Sequence, residues 1–273
     1  MKLLRFVMFG VVLDLLIIAV QAGLAGAEPI VLDGLIEPSM IVNVGSSVAG
    51  ILKTVDAERG DMIKKGQVLA RLHSGIEMAS MDLARFRTEM KAAIKEKHAQ
   101  VDFSLRRQKR YEELYNKKVI PFEEMDEART NSKLALIAME EARENIRLAE
   151  LELKRSIEVV KRMTIYSPIA GVVMERFLFP GEYVEDQPVL KLAQIHPLYV
   201  EIFAPVKLLG IIKIGMHAEV TPEKPVERVY KARVKIVDRV VDAASGTFGV
   251  RLELPNPEYG LPAGLKCTVT FHK

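Results

Sequence analysis

The spacing of apolar and polar positions divides the chain into a helical centre flanked by strand-like segments. Between Ile76 and Ala170 there is no glycine, and before Pro168 the only proline is Pro121, near the middle. A stretch of that length without helix breakers predicts two long helices with one reversal at Pro121. The arms are residues 76–116 and 122–162, about 40 residues and therefore about 60 Å each. In the second arm Met125, Ala128, Ser132, Ala135, Met139, Ala142, Ile146, Ala149 and Leu153 alternate at spacings of three and four. That is a heptad seam with Ser132 as its one polar member. Every other seam position from Ala128 to Ala149 is small, which lets a partner backbone approach closely. The first arm keeps the rhythm through Leu83, Phe86, Met90 and Ala93, and Lys97 and Gln100 then interrupt it. Ile94, Val101 and Leu105 show the seam drifting sideways. Residues 76–162 are expected to form a long antiparallel coiled-coil hairpin.

Two similar segments flank that centre. One reads Ser46-Ser47-Val48-Ala49-Gly50, then Gly60-Asp61, then Val68-Leu69. The other reads Ser167-Pro168-Ile169-Ala170-Gly171, then Gly181-Glu182, then Val189-Leu190, each position 121 residues further on. The glycine–acid pairs mark tight turns between short strands. Either copy alone holds too few strands to bury a core. Two copies closing on each other make one small β-sandwich, which brings the ends of 76–162 together, and arms of nearly equal length satisfy that condition. Residues 198–203, 232–237, 249–254 and 266–271 are further strand-like runs between Pro, Gly and Asn turns. Residues 30–44 are expected to add a strand or two to the same body, and Gly264 a turn conformation.

Residues 1–27 carry an export signature. Lys2 and Arg5 precede an apolar run at 6–20, and Ala25-Gly26-Ala27 has the small-x-small form of a cleavage site. Asp14 is unusual inside such a run. The run has about 15 residues where a bilayer span needs ~20, so a cleaved signal fits better than a retained anchor. No cysteine lies near the site, so a lipoprotein is excluded. The single cysteine, Cys267, rules out an intrachain disulfide and reads as a buried inert thiol.

Net charge is +3, too weak to imply an acidic partner. From Glu77 to Lys161 there are 18 Lys or Arg and 17 Asp or Glu, interspersed by sign. That is a solvated surface, not a nucleic-acid stripe. His73, His98, His196, His217 and His272 have no ligand spacing, so no metal is expected. Met78, Met81 and Met90 read as packing residues. No nucleophile–base pair, phosphate loop or paired-carboxylate arrangement stands out, so no catalytic residues are assigned and the chain does not read as an enzyme.

The half-motifs, S-x-x-A-G, ten residues to G-D/E and nine to Leu, resemble the split lipoyl/biotinyl-like domain of periplasmic adaptor subunits. These are the membrane fusion proteins of tripartite efflux pumps, the HlyD and RND adaptor family. The order half-motif, hairpin, half-motif, barrel covers essentially the whole chain after the signal. Gly246-Thr247, Val250-Arg251, Asn256-Pro257 and Leu261-Pro262-Ala263-Gly264 are similar to the family's barrel signature. A true carrier domain needs a lysine on the turn joining its halves. Here Arg71-Leu72-His73-Ser74-Gly75-Ile76-Glu77-Met78 runs into the helix and the next lysine is Lys91, so no cofactor is expected.

The resemblance implies a mixed α and β, elongated, multi-domain fold. Residues 28–43 with 194–273 would form a β-barrel, 44–75 with 163–193 a lipoyl-like sandwich, and 76–162 the hairpin. Ala49, Gly50, Gly60, Ala170, Gly171 and Gly181 would be the structural residues of the half-motifs. It implies a periplasmic adaptor associated with the inner membrane, assembled as a homo-hexamer or trimer of dimers. That funnel would link an inner-membrane transporter, RND type foremost, to an outer-membrane channel protein. The alternatives are an adaptor of an ATP-driven (ABC-type) exporter or type I secretion system, and a coiled-coil scaffold without a transport role. Adaptors of RND transporters usually carry a membrane-proximal domain beyond the barrel. This sequence ends just after its last barrel strand, so that domain is expected to be missing or vestigial.

The turn between the arms exposes Val119, Ile120 and Pro121, apolar residues that cannot all reach a core at an isolated tip. A partner surface and a local clasp closing the turn are the two readings. In the family, a tip pattern of Arg, three residues, Leu, six residues, Ser docks onto the channel. Arg110 and Leu114 match it and share one helical face at i,i+4. Pro121 stands where serine is expected, so that contact is altered.

Overall fold

The computed structural model describes residues 29–226 and 228–272. The expected export segment, 1–27, lies outside the described residues. The first strands are β1 (Ile30–Val44), β2 (Gly50–Val55), β3 (Met62–Ile63) and β4 (Val68–Leu72). Three helices follow, α1 (Gly75–Glu89), α2 (Ala92–Asn116) and α3 (Phe122–Arg162). Then come β5 (Thr164–Tyr166), β6 (Gly171–Arg176), β7 (Tyr183–Val184) and β8 (Leu190–Pro205). The chain ends with β9 (His217–Pro222), β10 (Tyr230–Val237), β11 (Thr247–Leu254) and β12 (Lys266–Phe271). These elements fall into two compact units. One holds the described residues up to Val42 and from Ala193 onward; the other is Asn43–Leu192.

In the first unit the strands run β1-β12-β9-β10-β11-β8, and a β1–β8 pairing closes the ring into a barrel without free edges. Alternation fills it: Leu198, Val200, Ile202 and Ala204 of β8 and Phe248, Val250, Leu252 and Leu254 of β11 all point inward and are buried. Residues 30–44 form a single 15-residue strand. Cys267 is buried in β12, and burial together with the nearby Asp33 charge pushes its thiol up to about 11, so it is neutral at pH 7.

The barrel signature has a physical content that its pattern does not show. Asn256 is buried in the β11–β12 connection beside strand β8. Its side-chain amide donates to the Ile195 and Leu261 carbonyls at 3.0 and 2.9 Å, and its Oδ1 accepts from the Leu261 amide at 3.1 Å. One side chain thus satisfies three backbone groups that would otherwise be orphaned. Gly264, φ +95°, closes the same loop, its N–H donating to the Ile36 carbonyl at 2.7 Å.

In the second unit the repeated segments pair with each other. β2 lies against β7, Gly50 opposite Val184 and Ile51 opposite Tyr183. β6 lies against β3, Gly171 opposite Ile63 and Val172 opposite Met62. Each pairing is the other displaced by the repeat interval, so the halves exchange equivalent strands about a local two-fold. The Gly60 amide donates to the Val173 carbonyl at 2.9 Å, and the Gly181 amide to the Leu52 carbonyl at 2.8 Å. Both glycines hold φ near +95° (95° and 93°), a region a side chain would resist.

The helices depart from expectation in the first arm. Residues 76–116 are not one helix: α1 stops at Glu89, Met90 leaves helical geometry (ψ 72°), and α2 begins at Ala92. Leu83, Phe86 and Met90, expected in the seam, are exposed, and Ala93 is exposed with them. The inward positions are instead Met81, Ala84 and Thr88 in α1, then Ile94, Val101 and Ser104 in α2. The inward face thus shifts back by one residue across the break. The sideways drift in the sequence is absorbed at Met90–Lys91 instead of accumulating along an unbroken helix. α3 is continuous over 41 residues, about 60 Å at 1.5 Å per residue, and buries Met125, Ala128, Ser132, Ala135 and Met139 as its heptads require. The arms run antiparallel: Ser132 bonds Gln108, and Arg87 meets Glu152 at 3.1 Å.

Candidate partner-binding surface at the helical tip

The tip is built by the way α2 stops. Lys118 adopts φ 57°, the left-handed region, directly after the helix. The Lys118 amide donates to the Tyr115 carbonyl and the Val119 amide to the Leu114 carbonyl, both at 2.9 Å. That pair of bonds is a Schellman cap, with lysine where glycine usually sits. Pro121, extended at ψ 160°, then serves as the N-cap of α3, and Glu123 and Glu124 complement the positive end of that helix. Two caps within five residues force a sharp reversal and push the intervening side chains outward.

Among the sequence-predicted tip residues, Val119 is 66% exposed and Pro121 is exposed, whereas Ile120 is half-buried. On the last turns of α2, Arg110 is exposed and Leu114 half-buried, one turn apart on one side. The structure adds two residues. Tyr115 and Phe122 pack edge-to-face, ring centroids 5.9 Å apart, and both remain exposed. They form the local clasp weighed against a partner surface, yet the clasp leaves Val119 and most of the Phe122 ring in water. Phe122 was legible in principle: a residue following an N-cap proline stands in the first turn, before the seam begins at Met125.

The lipoyl-like half-motif residues occupy a different place, at the foot of the helices. Gly50 and Gly171 stand in strands β2 and β6, paired with β7 and β3 respectively, and Gly60 and Gly181 in exposed turns, with Ala49 exposed and Ala170 half-buried before Gly50 and Gly171. Ser46 and Ser167 each donate a hydroxyl hydrogen bond two residues ahead, to Val48 and Ile169, at 2.5 and 2.6 Å. These contacts hold backbone and offer no reactive group. Among the described residues no three His, Cys, Asp or Glu are grouped to hold a metal, and no helix is long and apolar enough to cross a membrane.

A sandwich assembled from two separated half-motifs, a closed barrel and a long helical insert place the chain among the membrane fusion proteins. The chain belongs to the CzcB-like barrel-sandwich hybrid family, whose model matches residues 40–194, and residues 197–273 match the CusB-like β-barrel domain. It is 26% identical over 223 residues to the cation efflux system protein CzcB of an Alcaligenes species, covering 81% of this chain and 40% of the relative. It is 31% identical over 194 residues to the pyoverdine export membrane fusion protein PvdR of Pseudomonas aeruginosa, covering 69% of this chain and 49% of the relative. The chain therefore spans half or less of the length of these relatives. In fold it is similar to MacA from Actinobacillus actinomycetemcomitans, with TM-score 0.75, 22% identity, and coverage of 89% of this chain and 78% of that one.

Proposed function

We propose that the protein is the periplasmic adaptor of a tripartite efflux pump, joining an inner-membrane transporter of the RND type to an outer-membrane channel. Copies of the chain would assemble as a homo-hexamer or trimer of dimers. Residues 76–162 would act as an antiparallel coiled-coil hairpin, 44–75 with 163–193 as the lipoyl-like body, and 28–43 with 194–273 as the barrel, after export directed by residues 1–27. The role is mechanical: sealing and coupling, with the energy supplied by the transporter. The two named relatives carry unlike cargoes in their names, a cation and pyoverdine, which supports a role for this chain that does not depend on the cargo.

The observation that carries this reading is the tip, where two capped helices hold Val119, Tyr115 and Phe122 in water beside Arg110 and Leu114. Apolar side chains held out by dedicated caps are a docking surface. Arg110, Leu114, Val119, Ile120 and Pro121 are the proposed contacts with the channel. The test is Leu114→Asp in the full chain, read by efflux and by crosslinking to the channel. Both are expected to fall to background while helix content and the thermal midpoint hold. Undiminished efflux in a folded, exported Leu114→Asp protein overturns tip docking.

A further inference from the structure

One rim of the barrel collects features that the adaptor role does not require. Strand pairing places the end of β8 beside the start of β11 (Pro205 opposite Thr247) and the start of β9 beside β10 (His217 opposite Arg233). The start of β1 lies beside the end of β12 (Ile30 opposite Phe271). The connection 206–216 and the connection 238–246 therefore share one rim, and hydrogen bonds from Val206 to Gly246 (3.0 Å) and from Gly215 to Val234 (2.9 Å) pin the first of them there.

The connection 206–216 is amphipathic over a very short length. Ile212 is buried and Leu208 packs on the barrel core, which fixes the backbone. Val206, Leu209, Ile211 and Ile214 face out, Ile214 69% exposed, and Val240 on the neighbouring connection is 80% exposed. Lys207 and Lys213 sit among them, and no acidic residue occurs between Glu201 and Glu219. Arg233 and Arg239 add positive charge to the rim, against Asp238 and Asp242. The Ala244 amide and Ser245 hydroxyl hold the Asp242 carboxylate below its usual range, so it counts as a full negative charge. The balance remains cationic.

We infer that this rim rests on an anionic phospholipid bilayer, with Val206, Leu209, Ile211, Ile214 and Val240 entering the headgroup–acyl boundary and Lys207 and Lys213 meeting lipid phosphates. Isolated aliphatic tips interleaved with lysines match that interface, where apolar groups bury shallowly and basic ones gain from the surface potential. The connection 206–216 has no aromatic or arginine anchor of the kind that dominates protein–protein hot spots.

The protein contains no tryptophan, so a single introduced one reports its own surroundings. Leu209→Trp and Ile214→Trp place the probe on the rim. Val229→Trp places it at the opposite rim, where β9 ends with Pro222 opposite Cys267. Full-length protein is mixed with vesicles of phosphatidylglycerol and phosphatidylcholine carrying brominated acyl chains. Emission from the two rim probes is expected to shift blue and fall about twofold, as for side chains at shallow membrane depth, with the Val229→Trp probe unchanged. Adding Lys207→Glu and Lys213→Glu, or omitting phosphatidylglycerol, is expected to abolish most of the quenching. Equal quenching at Val229→Trp, none at Leu209→Trp, or indifference to both charge changes overturns the inference. So does protection of the rim probes by a membrane-protein fraction but not by lipid. The inference is independent of the tip: Leu114→Asp leaves it untouched.

Discussion

One helix, α3, meets two unlike partners along its length. Toward the tip, Met125, Ala128, Ser132, Ala135 and Met139 are buried against α2, whose Val101 and Ser104 are buried in turn. Toward the foot, Ala142, Ile146, Ala149 and Leu153 continue the same spacing but stay half-exposed. There they face the end of α1, the break and the first turns of α2 across a groove of about 670 Å³, lined by Arg87, Met90, Ala93, Lys97, Ile146 and Ala149 among others. The heptad pattern is equally good in both halves. What differs is continuity: α2 keeps register with α3 from Val101 to the tip, whereas Ala142, Ile146 and Ala149 lie where the first arm is interrupted at Met90–Lys91. A seam closes only when both strands of it hold phase, and a small-residue seam is unforgiving because it has little side-chain volume with which to fill a gap.

The largest effect that could break this contrast is in the buried half. Met139 clusters with Val101 and Ala135, so Met139→Ala is expected to cost about 2–5 kcal/mol and to melt the tip half of the helices. Ile146→Ala, half-exposed beside the groove, is expected to cost under about 1 kcal/mol. Urea unfolding followed by helical circular dichroism measures both, and equal costs would show the two halves to be energetically alike. Next in size is overpacking. Ala128 is 2% exposed, and Ala128→Leu should separate the arms at about 1–3 kcal/mol. Ala149→Leu has the groove to grow into and should fall within about 0.5 kcal/mol of the parent, or stabilise it.

The same contrast marks how far the sequence could be read. α3 was legible because its heptad period is regular and Pro121 breaks the chain just before it. The two halves of the sandwich were legible because a repeat carries its own register: Gly50 and Gly171 had to occupy equivalent strands. The break at Met90–Lys91 was not, since neither residue opposes a helix and the cause lies in the partner across the seam. Leu83 and Phe86 were placed inward on period alone, and tertiary register overrode them. Asn256 was visible as part of a pattern, but two of its backbone contacts depend on how its own loop folds back at Leu261 and the third on strand β8 lying alongside at Ile195. At the tip, Lys118 in the left-handed region was hidden because lysine is not the residue that signals such a cap.

The smallest expected effect tests whether charge compensates for the loose packing near the foot. Arg87 and Glu152 bridge the arms there at 3.1 Å, with both side chains more than half exposed (54% and 57%). Water and salt screen such a pair, so Arg87→Ala should cost only about 0.2–1 kcal/mol. The cost should shrink further as ionic strength rises, because the pair lies in solvent within the reach of counterions. A double-mutant cycle with Glu152→Gln isolates the pair from other effects of losing the arginine stem, which also lies along the groove. A coupling well above 1 kcal/mol that survives high salt would mean the foot is held by a fixed ionic clamp. The two halves of α3 would then differ in the kind of bond that closes them, and not in how firmly they are closed.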